Sequence, residues 1–212
     1  MNWFDTKSGK NLIQYEQNIV DGLFDNIFGY HIVQTGLKKN FISNLRFRSK
    51  TNQNEDILFD ECFLPFDNDS IDCFLAVHQN FENSNIFKEF YRALIPHGYC
   101  VFISFNPYSL AGLKSFFSIN EKYPWNDNFE SFSSFQGRLI ENNFEIVNGK
   151  FFHYHPFFKT TKVSANWNKI GDRWFPLLAN LYVIVARKKI STLTPIKPNW
   201  SKSKHRNTVK IL

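Results

Sequence analysis

Three residues of chemically useful types stand just past apolar runs. His78 follows Ile71–Val77 and is of the type that takes a proton or orients a substrate. Asn106 follows Tyr99–Phe105 and opens an Asn-Pro pair, which also reads as a strand-ending turn. Asp60 sits in a third candidate strand, Ile57–Phe63, where a carboxylate can accept hydrogen bonds or simply close a turn. His153 and His155 are two apart and would share one strand face, but two ligands do not make a tetrahedral metal site, and no metal is expected. The run Asp67-Asn68-Asp69-Ser70-Ile71-Asp72 superficially suggests a calcium loop. It has an apolar fifth position and no glycine at the sixth, which excludes it.

These residues must be held by regular elements. Residues 10–28 carry Leu12, Ile13, Ile19, Val20, Leu23, Phe24 and Ile27 on one broad face, the spacing of an amphipathic helix. Helical patterns recur at 84–95, 109–117 and 129–142. Strand patterns occupy 30–35, 45–49, 57–63, 71–77, 99–105, 144–154 and 181–188. Seven strands alternating with helices predict an α/β fold with a mostly parallel sheet covered on both faces. The last two strands lack a full-length helix between them, which suits a closing hairpin with one antiparallel strand at the edge. Ligands of such sheets sit at the carboxyl ends of the strands. That draws attention to Gly36, Lys50, Asp60–Phe63, His78–Asn80 and Asn106–Tyr108.

The chain has 212 residues, enough to bury a full core without disulfides or metals. Phe occurs 25 times alongside abundant Asn, Lys and Ile, a bias of AT-rich codons before it is a sign of an aromatic binding platform. The net charge of +6 is unevenly spread: residues 1–172 hold 16 basic and 19 acidic side chains, residues 173–212 hold nine basic and none acidic. The expected organisation is a domain over 1–189, with a helical segment over 1–29, and a basic, flexible tail over 190–212. Cys62, Cys73 and Cys100 are odd in number, widely spaced and in apolar surroundings, as reduced cytoplasmic thiols would be. Asp5, Lys7 and Lys10 interrupt any signal-peptide core. The apolar run Leu177–Ala186 is half the ~20 residues a bilayer span needs.

The segment 60–105 carries a family pattern: Asp60, then Leu64-Pro65-Phe66, an acidic turn, Ile71-Asp72 opening a strand, Glu89 and Arg92 late in a helix, and Leu94-Ile95-Pro96-His97-Gly98 before the next strand. It resembles the type 11 class I methyltransferases, which bind S-adenosylmethionine on a Rossmann-like sheet. Phe28-Gly29-Tyr30-His31, Phe105-Asn106-Pro107, Gly112-Leu113-Lys114, Phe152-His153 with Pro156, and Val185-Ala186-Arg187-Lys188 resemble a narrower group, the small bacterial YafS-like methyltransferase-domain proteins.

The resemblance implies a methyltransferase with S-adenosylmethionine as cofactor and an unknown methyl acceptor. Gly36, Asp60, Glu61 and Phe63 would hold the cofactor. In the family the backbone after the first strand approaches its amino-acid end, and the Asp before Leu-Pro-Phe accepts from the adenine amino group. His78, Asn106 and His153 would face the acceptor. The chain departs from the pattern twice. Its glycine loop is reduced to Gly36, and Lys50 ends the second strand candidate where the family has a ribose-binding acid. These departures point to a second reading, a methyltransferase-like domain that works by binding a partner. The basic tail adds a third, contact with RNA.

Overall fold

The computed structural model describes residues 3–53, 55–60, 63–109, 112, 130–154 and 176–190. A 3-10 turn, Trp3–Asp5, leads into helix α1, Lys7–Phe24. Strands β1 (His31–Gly36), β2 (Ser49–Asn52) and β3 (Ile71–Val77) follow. Then come α2 (Asn85–Ala93), β4 (Leu94–Phe105), α3 (Phe132–Glu141), β5 (Phe144–Phe152), a 3-10 turn at Pro176–Leu178, and β6 (Leu181–Lys188). None of the described helices is long and apolar enough to cross a membrane.

The strands form one six-stranded sheet in the order β2-β1-β3-β4-β6-β5. β1 to β4 pair in parallel, and β6 runs antiparallel to both its neighbours. The antiparallel strand therefore lies one in from the edge, not at the edge as expected. Composition explains the placement. β6 is apolar from Leu181 to Ala186 and buried almost throughout, whereas β5 carries Glu145, Asn148 and Lys150 and is mostly exposed. The polar strand suits the open edge, where charge discourages further pairing.

The expected strand over Ile57–Phe63 is absent among its described residues, so six strands are seen where seven were expected. The carbonyl of Asn52 takes the N–H groups of Glu55, Asp56 and Ile57, which turns the chain away from the sheet. Leu58 is left 90% exposed. β2 also begins at Ser49 instead of Leu45. Leu45 and Phe47 drop into the core, Phe47 against Phe24, and pairing starts only where Tyr30 O receives the N–H groups of Arg48 and Ser49.

Alternating side chains divide the core between the two faces. On one, Leu12, Val20, Phe24 and Ile27 of the α1 region pack with Ile32, Leu75, Val77 and Val101. On the other, Ile86, Phe87, Phe90 and Phe135 of α2 and α3 pack with Val33, Phe74, Phe102 and Ile184. Much of the phenylalanine is core material; Phe74 and Phe90 stack at 4.5 Å.

α1 starts where Thr6 caps it, accepting from Gly9 N–H and donating to Trp3 O. A Cβ on Gly9 would lie 2.5 Å from Trp3 O, so the missing side chain lets the first turn fold back onto the helix. This fold-back brings Phe4 over the end of β3. Apart from Ser109 and Gly112, the helix expected over 109–117 lies outside the described residues, as does the tail from 191 onward.

Candidate active site at the carboxyl edge of the sheet

Gly36 ends β1 with φ +90°, and a Cβ there would sit 2.3 Å from the carbonyl oxygen of Val77. Only glycine makes this turn without strain. The next residue seals it, Leu37 N–H donating to the same carbonyl at 2.8 Å. Gly36 N–H donates to Gln53 Oε1 at 3.2 Å, and Gln53 Nε2 donates to Phe59 O at 3.1 Å. Gln53 thus ties the β1 turn to the segment leading to Asp60.

At the end of β3 the chain kinks. His78 takes φ +50°, and its ring turns toward α1, where Nε2 meets Glu16 Oε1 at 2.6 Å. The ring lies flat on Phe105 at 4.0 Å and beneath Phe4 at 5.9 Å. Glu16 is fully buried, and its Oε2 has no hydrogen-bond partner among the described residues. Gln79 faces β1 instead, and Thr35 Oγ1 donates to its Oε1. Gln79 is 3% exposed, and its Nε2 has no hydrogen-bond partner among the described residues. A buried amide donor left in that state costs about 1–3 kcal/mol.

Asn106 is buried at the end of β4. Its Nδ2 donates to Leu177 O at 2.7 Å and Ala179 O at 2.8 Å, and its Oδ1 accepts Tyr108 N–H at 3.2 Å. The side chain staples β4 to the turn before β6. Asn180 bridges onward, its carbonyl receiving Asn106 N–H and its Nδ2 donating to His153 Nδ1 at 3.0 Å. His153 also meets the ring edge of Tyr15, the neighbour of Glu16 on α1. The structure thus gathers His78, Asn106 and His153 along one edge of the sheet. His155 lies outside the described residues.

Asp60 and Phe63 are exposed, Phe63 at 77%, and Phe63 N–H donates to Asp60 O at 3.0 Å. Glu61 lies outside the described residues. The loop beyond is clamped by α2. Glu89 Oε2 accepts Leu64 N–H, while Arg92 donates to Leu64 O, Phe66 O and Asn68 Oδ1. Glu89 and Arg92 form a two-pronged pair at 2.9 and 2.7 Å. Arg92 holds the Glu89 carboxyl below its ordinary range, and Glu89 raises Arg92 in return. This is a physical reason for the Glu-x-x-Arg spacing beside Leu-Pro-Phe.

Lys50 does not end β2. It pairs in register with Ile32, sends its Nζ to Ser43 O at 2.8 Å, and the strand runs on to Asn52. The residues at the strand's end are the amides Asn52 and Gln53. The nearby acids are engaged, Asp56 Oδ2 with Asn52 N–H at 2.7 Å and Glu55 Oε2 with Asn40 Nδ2 at 2.8 Å.

Sequence reading missed Glu16, Gln53 and Thr35, and marked Gln79 only as part of the strand end His78–Asn80, with no role. A signal existed for Glu16: it stands four residues from both Leu12 and Val20, in the middle of the apolar stripe. A carboxylate there must find a buried partner.

No protein-family model matches the chain. It is 26% identical over 224 residues to the uncharacterized protein YafS of Escherichia coli K12, covering 98% of this chain and 89% of that one. Among solved structures, a SAM-dependent methyltransferase of Thermotoga maritima, described as a possible histamine N-methyltransferase, superposes with TM-score 0.61 at 16% identity, over 82% of this chain and 88% of that one. Geranyl diphosphate C-methyltransferase of Streptomyces coelicolor, solved with S-adenosyl-L-homocysteine, superposes with TM-score 0.59 at 13% identity, over 87% and 86%. The mostly parallel sheet, its inserted antiparallel strand and its helices on both faces are the class I methyltransferase fold.

Proposed function

We propose that the chain transfers a methyl group from S-adenosylmethionine to an acceptor held at the carboxyl edge of the sheet. The observation that carries this reading is the Gly36 turn. Only glycine can end β1 at φ +90° against the Val77 carbonyl, and Gln53 ties this turn to Phe59, the residue before exposed Asp60. These residues fit the cofactor at two ends. Gly36 would meet its amino-acid part. Asp60 would accept from the adenine amino group, with Phe63, and Glu61 on the sequence pattern, against the ring. At the ribose position Gln53 would offer an amide where the family has a carboxylate.

When bound, the cofactor supplies an electrophilic methyl on a sulfonium; the protein's part is alignment and proton handling. Glu16 Oε1 at His78 Nε2 favours the proton on that nitrogen and puts the ring's lone pair on Nδ1. An acceptor that loses a proton on methylation would give it to the imidazole, and the Glu16 carboxylate would stabilise the imidazolium that forms. Asn106 and His153, joined through Asn180, would shape the acceptor side. The buried free thiols of Cys73 and Cys100 suit a reducing, cytoplasmic setting.

Calorimetric titration of the full chain with S-adenosylmethionine and S-adenosylhomocysteine tests the reading. Micromolar binding, weakened in Asp60→Ala with the fold intact, supports it; unchanged affinity in that variant removes Asp60 from the site. No binding to a folded sample favours a partner-binding domain without catalysis. The amide end of β2, with Asp56 turned back on Asn52, is the observation on that side. RNA contact through the basic tail would show as affinity that falls steeply with salt and is lost on deleting residues 190–212.

A further inference from the structure

We propose that Gln79 is a ligand-binding donor whose Nε2 amide receives a carboxylate oxygen from the amino-acid end of the cofactor; this rests on the methyl-transfer reading above. Three observations converge on it. The first is the buried Nε2 itself, which has no hydrogen-bond partner among the described residues, an uncommon state for an amide in a packed edge. It is at ease only when something at the edge accepts from it. The second is orientation. Thr35 Oγ1 donates to Oε1, so the amide is pinned by its oxygen and offers its nitrogen. The third is position. The Cβ of Gln79 lies 3.1 Å from where a Cβ on residue 36 would stand, so the side chain springs from beside the Gly36 turn.

The chemistry selects the carboxylate. An N–H donor needs an acceptor. The sulfonium and the ammonium of the cofactor offer none, and on the reading above the ribose hydroxyls fall to Gln53 and the adenine to Asp60. The Gly36 N–H, the neighbouring backbone donor, already points at Gln53 Oε1. Gln79 therefore supplies a donor that the glycine turn does not. It is a neutral donor, so it adds a directional contact and little long-range charge.

The test compares two probes on the full chain by titration calorimetry. S-adenosylhomocysteine carries the amino-acid end; 5′-methylthioadenosine keeps the nucleoside thioether and lacks it. Gln79→Met is expected to weaken S-adenosylhomocysteine about tenfold and to leave methylthioadenosine unchanged. Thr35→Val, which frees the amide to rotate, is expected to weaken S-adenosylhomocysteine by a smaller factor, and it serves alone if Gln79→Met fails to fold. The double variant Thr35→Val/Gln79→Met removes the orphaned donor and the hydroxyl together. Without ligand it is expected to melt at or above the wild-type temperature, which a purely structural pair would not do. Equal weakening of both probes, or unchanged S-adenosylhomocysteine affinity in a variant that still binds it, overturns the proposal and leaves the methyl-transfer reading standing. Wild-type protein that binds neither probe overturns both.

Discussion

Glu16 and His78, 62 residues apart in sequence, meet at 2.6 Å beneath α1, and neither side chain is more than 3% exposed. The contact joins the middle of the first helix to the end of the central parallel strands. It also sets what lies above the candidate acceptor side. Phe4 folds back through the Gly9 turn onto the His78 ring, and Tyr15 reaches His153. α1 is thus both a face of the core and a wall of the candidate site.

Cutting this pair on one side is expected to be expensive. Glu16→Ala removes the acceptor that faces the Nε2 of His78, which is buried against two phenylalanines, a loss of about 1–3 kcal/mol. Glu16→Gln keeps an acceptor and loses less. The variant Glu16→Leu/His78→Phe removes both polar groups and is expected to recover most of the stability, since apolar replacements of buried pairs are often neutral or better. Urea denaturation of the four proteins checks this. A double variant as unstable as Glu16→Ala would mean that the pair is not what holds α1 in place.

Gly36→Ala is expected to damage the fold as well as the site. The backbone at φ +90° disfavours any side chain, at about 1–3 kcal/mol, and the new Cβ would meet the Val77 carbonyl well inside contact distance. Relief requires the ends of β1 and β3 to separate, which moves Thr35 away from Gln79. Denaturation midpoint and S-adenosylhomocysteine affinity should fall together. Gly22, whose Cβ would meet nothing within 4 Å on α1, is the control, and Gly22→Ala should stabilise slightly.

Much of the scaffold was legible because its signals are local. β3 is apolar but for Asp72 and β6 is apolar up to Ala186, and both appear at the residues the sequence marks. The ends of β2 were not legible, because pairing starts where Tyr30 O receives two N–H groups, a contact set by the neighbouring strand. The same holds for Ile57–Leu58, apolar residues that a turn at Asn52 throws outward. The order of β5 and β6 depends on which strand has more apolar surface to bury, a comparison between strands that no single segment states. The strand-end rule pointed to His78, Asn106 and Gly36, which the structure places at the carboxyl edge of the sheet. Glu16 escaped it, and Gln79 fell within its range without a role, because their meaning lies in partners: a buried histidine for Glu16, and for Gln79 an acceptor that is absent among the described residues.

The Glu89–Arg92 clamp is expected to govern both the loop and the acid stability of the domain. Arg92 uses its guanidinium on Glu89, on two backbone carbonyls and on Asn68, so Arg92→Ala should free the Leu64–Asn68 loop and weaken S-adenosylhomocysteine through Asp60 and Phe63. Its cost at neutral pH should be about 1–2 kcal/mol, since both side chains remain partly exposed. Glu89 titrates lower in the folded protein than in the unfolded chain, where a glutamate sits near about 4.3. Its contribution is therefore present above that value and is lost as the pH falls through the lowered one. Without Arg92 the carboxyl returns toward its ordinary range, and that part of the pH dependence disappears. Denaturation curves at neutral pH and in acid should show the gap between wild type and Arg92→Ala narrowing in acid without closing, because the contacts to the carbonyls and Asn68 do not titrate. Arg92→Lys, which keeps the charge but not the fork, should retain part of the pH dependence and lose the loop contacts. A gap that stays constant from neutral to acid would mean that Glu89 owes nothing to Arg92, and that the loop is held by its backbone contacts alone.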